Sequence, residues 1–153
     1  QYTKKLGVYF SECSWPGLLL SPIVYSLIIP VLIFDLFIFF YQHMCFPIYS
    51  IPKVRRRDYI VLDRHKLQYL NYIERFNCVY CSYANGFIAY AQEVAARSEQ
   101  YWCPIKHASK AKGRHDLYRK FAEYGDSEGF KNIMNEVRER KNRNNDNQEM
   151  QGK

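Results

Sequence analysis

The residues best equipped for chemistry are two close pairs: Cys78 and Cys81, spaced C-x2-C, and Cys103 and His107, spaced C-x3-H. Two thiolates three residues apart can chelate one ion. Cys103 followed by Pro104 can open a helix whose first turn brings His107 round beside the sulfur. Together the four predict a Cys3His tetrahedral centre, with zinc as the expected metal and thiolate-bound iron as the alternative, because soft sulfur with one imidazole suits either. Covalent c-type haem is excluded, since Ser82 stands where the attachment motif needs His. Two other readings stay open. Cys78 and Cys81 could be a redox dithiol activated at a helix N-terminus, although no thioredoxin-like strand pattern precedes them. Alternatively they are ordinary reduced cysteines packed at a helix start, with His107 on the surface. His43, His65 and His115 read as solvent or interface residues.

The metal centre makes a demand on the element between its halves. If residues 82–102 formed one straight helix, Cys81 and Cys103 would lie about 33 Å apart at 1.5 Å per residue, far beyond a shared ion with sulfur bonds of ~2.3 Å. The site closes within one chain only if the helix is short, for example Phe87 to Arg97, with Asn85 and Gly86 forming a turn before it and the QYW stretch folding back after it. Otherwise the halves bind separately or meet across a homo-oligomer. Phe87, Ile88, Ala91, Val94 and Ala95 predict one apolar face for this helix. Glu93 four residues before Arg97 predicts an exposed ion pair rather than a catalytic carboxylate.

Upstream the composition changes sharply. The mean hydropathy of −0.42 averages a polar chain with a run that carries one formally charged residue, Asp35, between Glu12 and Lys53. Gly17 to Tyr41 is long enough to cross the roughly 30 Å hydrocarbon core as a helix. A cleavable secretory signal fits less well: the run exceeds the usual ~7 to 15 apolar residues, and no small-x-small cleavage site follows. Pro22 and Pro30 can kink such a helix, and a re-entrant hairpin returning to the same face is the alternative. Asp35 needs a partner at depth, because a bare carboxylate in hydrocarbon costs several kcal/mol. The readings for Asp35 are a contact with a polar group on another membrane subunit, a proton-handling carboxyl, or a carboxylate near the interface on a tilted or kinked helix. Cys13 and Cys45 flank opposite ends of the run and cannot pair across a spanning helix.

Basic residues accumulate after the run. Arg55, Arg56, Arg57, Arg64 and Lys66 suit anionic lipid headgroups and place the C-terminal part in the cytoplasm. Residues 58–76 carry a helical apolar stripe, expected at the membrane surface. The net charge of +7 is assigned to this lipid-facing flank, not to nucleic-acid binding. Gly125 should end one short helix, and Asp126 or Ser127 should cap another with Phe130, Ile133, Met134 and Val137 inward. From Arg140 the Asn-rich, charged sequence predicts a disordered polar tail. The expected organisation is a flank (1–16), a membrane segment (17–46), a basic interfacial helix (47–76), a small Cys/His helical domain (77–139) and the tail (140–153). The fold class is mainly α: one N-terminal membrane helix, kinked or re-entrant, plus a small helical cytoplasmic domain. No P-loop, dinucleotide fingerprint or G-x-S-x-G elbow occurs in the sequence.

The strings NCVYCSYANG and EQYWCPIKHA, within residues 30–110, resemble a motif of small uncharacterised membrane proteins of bacteria. The resemblance implies a shared role for Cys78, Cys81, Cys103 and His107 and an inner-membrane location, and it supplies no substrate. The expected function is a noncatalytic, membrane-anchored, zinc-stabilised accessory protein docked on a larger integral membrane complex. The alternatives are a membrane-tethered redox protein and, third, a membrane-surface enzyme acting on a lipid-linked substrate.

Overall fold

The structure, a computed structural model, describes residues 15–110 and 112–151. These are mainly helical, without strands among the described residues, and one long apolar helical stretch lies near the N-terminus. The helices are α1 (Trp15–Ser26), α2 (Ile28–Ile48), α3 (Tyr72–Trp102) and α4 (Ser127–Gln151). The chain forms two compact units, one of residues up to Phe37 with Arg55–Tyr90, the other of Ile38–Val54 with Ala91 onward.

In the first unit, Pro30 explains why α1 and α2 are separate. It has no N–H to donate to the Ser26 carbonyl, and its ring crowds that carbonyl, so the helix breaks at Leu27. The break is not a reversal. Tyr25 packs edge-on against Phe76 and Tyr80, at centroid distances of 5.5 and 5.7 Å, and the Tyr80 hydroxyl donates to the Val24 carbonyl at 2.7 Å. Ten residues after Tyr25, Asp35 meets Tyr83, while Phe34 meets Phe87 at 5.4 Å. A single residue, Leu27, separates the helices and the Val31 N–H still bonds its carbonyl at 3.5 Å, so the stretch is kinked and not folded back, and from Tyr25 to Asp35 it advances along α3.

α3 differs from the expected short helix. It begins at a reciprocal capping box, in which the Asn71 side chain accepts from the Glu74 N–H and the Glu74 carboxylate accepts from the Asn71 N–H, both at 2.9 Å. It then runs unbroken through Asn85 and Gly86. Gly86 is not a turn residue here. The backbone of Tyr59 and Ile60 crosses it so closely that a Cβ would come within 2.6 Å of the Tyr59 carbonyl oxygen. The same crossing explains why the interfacial helix expected over residues 58–76 is irregular up to Asn71, with two short 3-10 turns, Arg56–Asp58 and Arg64–Lys66, and is helical only from Tyr72, where α3 begins. The chain spends residues 51–71 laying an irregular strap on neighbouring elements. Of the predicted apolar face, Phe87, Ala91 and Val94 are buried, whereas Ile88 and Ala95 are exposed.

In the second unit, α2 ends in a C-terminal motif with Ser50 in the left-handed region (φ 53°). The Ile51 N–H bonds the Phe46 carbonyl at 2.9 Å and the Ser50 N–H bonds that of Pro47 at 3.2 Å. Gln42 then locks the following chain, accepting from the Val54 N–H at 2.9 Å and donating to the Val54 carbonyl at 3.2 Å. Phe46, Val54, Val94, Pro104, Tyr118 and Phe121 are buried in this unit. After α3, a single parallel bridge pairs Ile105 with Ala122. Asp126 caps α4 by accepting from the Gly129 N–H at 2.9 Å. α4 continues to Gln151, where the sequence reading places a disordered tail from Arg140. Lys141 lies over the Tyr49 ring at 5.9 Å on the way, and residues 140–151 contain neither Gly nor Pro, although Asn is the commonest residue among them.

Candidate functional site

The four predicted metal ligands are not brought together. Cys78 and Cys81 sit within α3, and Cys103 follows its last residue, so the continuous helix imposes the separation of about 33 Å that the shared site could not tolerate. Among the described residues no group of three or more His, Cys, Asp or Glu side chains is arranged to hold a metal ion. The Asn-Gly pair misled the sequence reading: Gly86 serves a close backbone approach, not a turn. Cys45, Cys78, Cys81 and Cys103 are free thiols. His107 is exposed; its N–H donates to the Tyr118 hydroxyl at 2.7 Å. His115, expected at a surface or interface, is half-buried and pairs through Nε2 with Glu99 at 2.9 Å.

Asp35 is the best-defined polar centre of the first unit. Buried at 6% exposure, it takes both guanidinium nitrogens of Arg56, Nη1 to Oδ1 and Nη2 to Oδ2, each at 2.6 Å. The Tyr83 hydroxyl donates to Oδ2 at 2.5 Å. A two-pronged Arg contact and a phenol donor leave the carboxylate well satisfied. Its partners lie within this chain. Burial, followed by the hydrogen bond to and charge of Asp35, raises the Tyr83 phenol above its ordinary value, with Arg56 opposing. Partial burial acts to lower the Arg56 value, but the Asp35 carboxylate outweighs it and raises it.

Asp35 belongs to a regular pattern. Ser21, Tyr25, Ile28, Val31, Asp35, Ile38, Gln42 and Phe46 are buried or half-buried, at helical spacing of three or four, and Cys45 beside Phe46 is half-buried as well. The remaining positions are open: Ile23, Ile29, Phe37, Met44 and Ile48 are each about 60% exposed or more. Four of these nine inward positions, Ser21, Tyr25, Asp35 and Gln42, are polar, and the outward ones are overwhelmingly aliphatic or aromatic. The polar side chains are also satisfied locally. Tyr25 donates to Asn77, Ser26 to the Ile23 carbonyl, Tyr41 shares a hydrogen bond with Ser98 at 2.7 Å, and Gln42 holds Val54. In one stretch of 30 residues, Leu19–Ile48, the helix is long and apolar enough to cross a membrane, although a signal sequence can satisfy the same criterion.

The predicted lipid-contact cations take different positions. Arg55 pairs with Asp58 at 3.2 Å on the surface, Arg56 clasps Asp35, and Arg57 and Lys66 are exposed. Arg64 lines a hollow of about 360 Å³ beside Cys81, Ser82 and Gly86.

A larger feature of the second unit was missed from sequence. Residues just after α2 meet the last third of α3 and the middle of α4 around a cleft of about 410 Å³, within the usual range of about 300 to 1,000 Å³ for ligand pockets. Arg97 anchors its wall: Nε pairs with Glu93 at 2.9 Å, the expected partner, although the pair is half-buried and not exposed, and Nη1 donates to the Pro52 carbonyl at 2.7 Å. Tyr49 closes one side, packed against Tyr101 at 5.3 Å and Trp102 at 5.0 Å. Lys120, Arg140, Lys141 and Arg143 line the remainder. Those cations lie far apart in sequence from Tyr49, and three of them fell in the expected disordered tail. The chain matches no protein-family model, and no curated protein or solved structure matches it at a significant level.

Proposed function

We propose that this is a membrane-embedded, noncatalytic accessory protein whose α1–α2 helices lie lengthwise in one leaflet, with the polar part of the chain on the cytoplasmic side. The observation that carries the proposal is the inverted pattern of α1–α2: polar side chains inward, large apolar ones outward. In water this leaves an apolar face far larger than a soluble monomer exposes. In hydrocarbon it is the stable arrangement, because each polar group finds a partner inside the protein and the outer surface meets lipid.

The lengthwise orientation is supported by what stands beside the helix. Arg55, Arg56 and Asp58 lie at the level of Asp35, near the middle of the apolar stretch, with side chains partly open to solvent. Glu74 and Arg75 open the end of α3 that packs on Tyr25. A helix standing upright would drag these charges into the hydrocarbon, at about 2.5 to 3.5 kcal/mol for each charge at depth. The stretch of 30 residues is also about 45 Å long, well over the ~30 Å needed for an upright crossing. Lying in the interface, one face meets acyl chains and the other carries charged segments into the headgroup layer and water. The accessory role is supported by the breadth of the apolar face, which offers the flank of an integral membrane protein a matching surface in the same leaflet. Cytoplasmic placement is supported by the basic excess after the apolar run.

Single-cysteine variants test the topology in sealed inner-membrane vesicles. With both ends of the apolar run on one side, Cys13 and Cys103 should react with a membrane-impermeant maleimide from the cytoplasmic face only. Labelling of the two from opposite faces would show a spanning helix, and release of the protein by alkaline carbonate would show that it is not embedded at all.

A further inference from the structure

We propose that the cleft between the α2 exit, α3 and α4 is a binding site for a phosphate group, its natural source being the headgroup of an anionic phospholipid. This rests in part on the membrane-embedded reading above. The cleft carries Arg97, Lys120, Arg140, Lys141 and Arg143 against one carboxylate, Glu93, which Arg97 already engages. Arg140 meets Glu136 at 3.3 Å in an exposed pair, and Lys141 lies over the Tyr49 ring at 5.9 Å. Neither Lys120 nor Arg143 has an ion-pair partner among the described residues. Holding like charges in one concavity is unfavourable unless an anion enters, and Arg and Lys side chains are the usual phosphate ligands.

The walls suit a phosphate attached to carbon rather than a bare acidic protein surface. Tyr49, Tyr101, Leu117 and Val137 supply apolar area beside the cations. The cleft begins one residue beyond Ile48, the 69% exposed end of the apolar helix in the same unit. Tyr49, Tyr101 and Trp102 form an aromatic cluster there, the residue types that settle at the headgroup level. A phospholipid whose acyl chains lie against Met44 and Ile48 would present its phosphate to Lys120, Lys141 and Arg143.

The test uses the full chain in neutral detergent, titrated calorimetrically with dihexanoyl phosphatidylglycerol, dihexanoyl phosphatidylcholine, glycerol 3-phosphate and inorganic phosphate. The phosphatidylglycerol should bind at least tenfold tighter than the phosphatidylcholine, less so at high salt. The triple change Lys120→Gln, Lys141→Gln and Arg143→Gln should weaken it at least tenfold, whereas Lys120→Arg with Lys141→Arg should retain it, which separates charge from misfolding. Equal affinity for glycerol 3-phosphate or inorganic phosphate would keep the site and assign it to a soluble phosphate compound. Unchanged binding by the triple variant would overturn the site. So would an absence of binding by any of the phosphates, or capture of a glutamate-rich peptide in their place. Flotation of the unaltered protein with neutral phosphatidylcholine vesicles is scored separately. Failure there removes the membrane-embedded reading, while failure of the titration with flotation intact removes only the cleft.

Discussion

Replacing Gly86 by Ala tests whether the strap of residues 51–71 packs on α3 as described. A methyl group at Gly86 would lie 2.6 Å from the Tyr59 carbonyl oxygen, 3.0 Å from the Ile60 Cα and 3.3 Å from the Ile60 Cγ1. The two nearest atoms are backbone, so no rotamer change relieves the contact and the strap must move. Alanine gains up to about 1 kcal/mol over glycine in a helix interior. Overpacking costs about 1 to 3 kcal/mol, and the rigidity of the opposing atoms puts Gly86→Ala in the upper half of that range. The net expectation is a loss of about 1 to 2 kcal/mol, which for a chain of this size lowers Tm by roughly 2 to 8 °C. Thermal unfolding followed by circular dichroism in neutral detergent measures it, and faster tryptic cleavage between Arg55 and Lys66 should accompany it. Gly129→Ala is the control. Its new methyl meets only the Asp126 carboxylate, which can turn aside, so the lost cap and the gained helix propensity nearly cancel. A Gly86→Ala protein as stable as the unaltered one would refute the close approach, and with it the path that delivers Arg56 to Asp35.

The clasp itself predicts an order of damage. Arg56→Met strands a buried carboxylate and should cost about 3 kcal/mol. Asp35→Asn leaves a guanidinium that is 44% exposed and can be solvated, at about 1 kcal/mol. Combining Asp35→Leu with Arg56→Met should recover most of the Arg56→Met loss in a denaturation series; a double variant worse than either single one would contradict the pairing. Tyr83 is held protonated, above its ordinary value of 10.0. Its contribution is therefore complete below pH 10 and fades as pH rises from there towards the folded value, where the unfolded chain ionises first. Tyr83→Phe should flatten that part of the stability profile relative to the unaltered protein, and identical profiles above pH 10 would remove the hydrogen bond to Asp35. Treatment with EDTA should leave Tm unchanged, because α3 holds Cys78 and Cys81 far from Cys103; a fall of several degrees, restored by zinc, would reinstate the shared centre.

What could be read from the sequence is what depends on composition and local pattern. The apolar run, the need of Asp35 for a partner, the Glu93–Arg97 pair and the cap of α4 at Asp126 all follow from residue type and short spacing, and each has a counterpart in the structure. The errors share one cause. Gly86, the strap and the middle of α4 take their conformation from segments far away in the chain, and local signals were read in their place. Asn-Gly is a strong turn signal in isolation, but the approach of Tyr59 turns the same glycine into a seat for backbone. The capping box at Asn71 and Glu74 is a local clue that a helix starts at Tyr72; it fixes the start and not the length, and the length is what separates the cysteines.

A further clue bearing on the proposed lengthwise orientation lies in α1–α2 and depends on order, not average hydropathy. Ser21, Asp35 and Gln42 fall at steps of seven residues, with the apolar Ile28 at the step between the first two, so three polar members of a very apolar run fall on one line of a helix. A hydropathy window adds these residues into a mean and reports a crossing; their alignment reports a helix with a wet side and a greasy side. Tyr25, one turn after Ser21, extends that line, and its hydroxyl reaches Asn77. Since Arg56 pairs with Asp35 and satisfies it, and since Arg55 and Asp58 travel with it, the proposed orientation lets water reach the midpoint of the apolar stretch. A helix whose midpoint stays wet on one side while its other side exposes Phe37 and Ile33 fits the boundary between headgroups and acyl chains better than the centre of a bilayer.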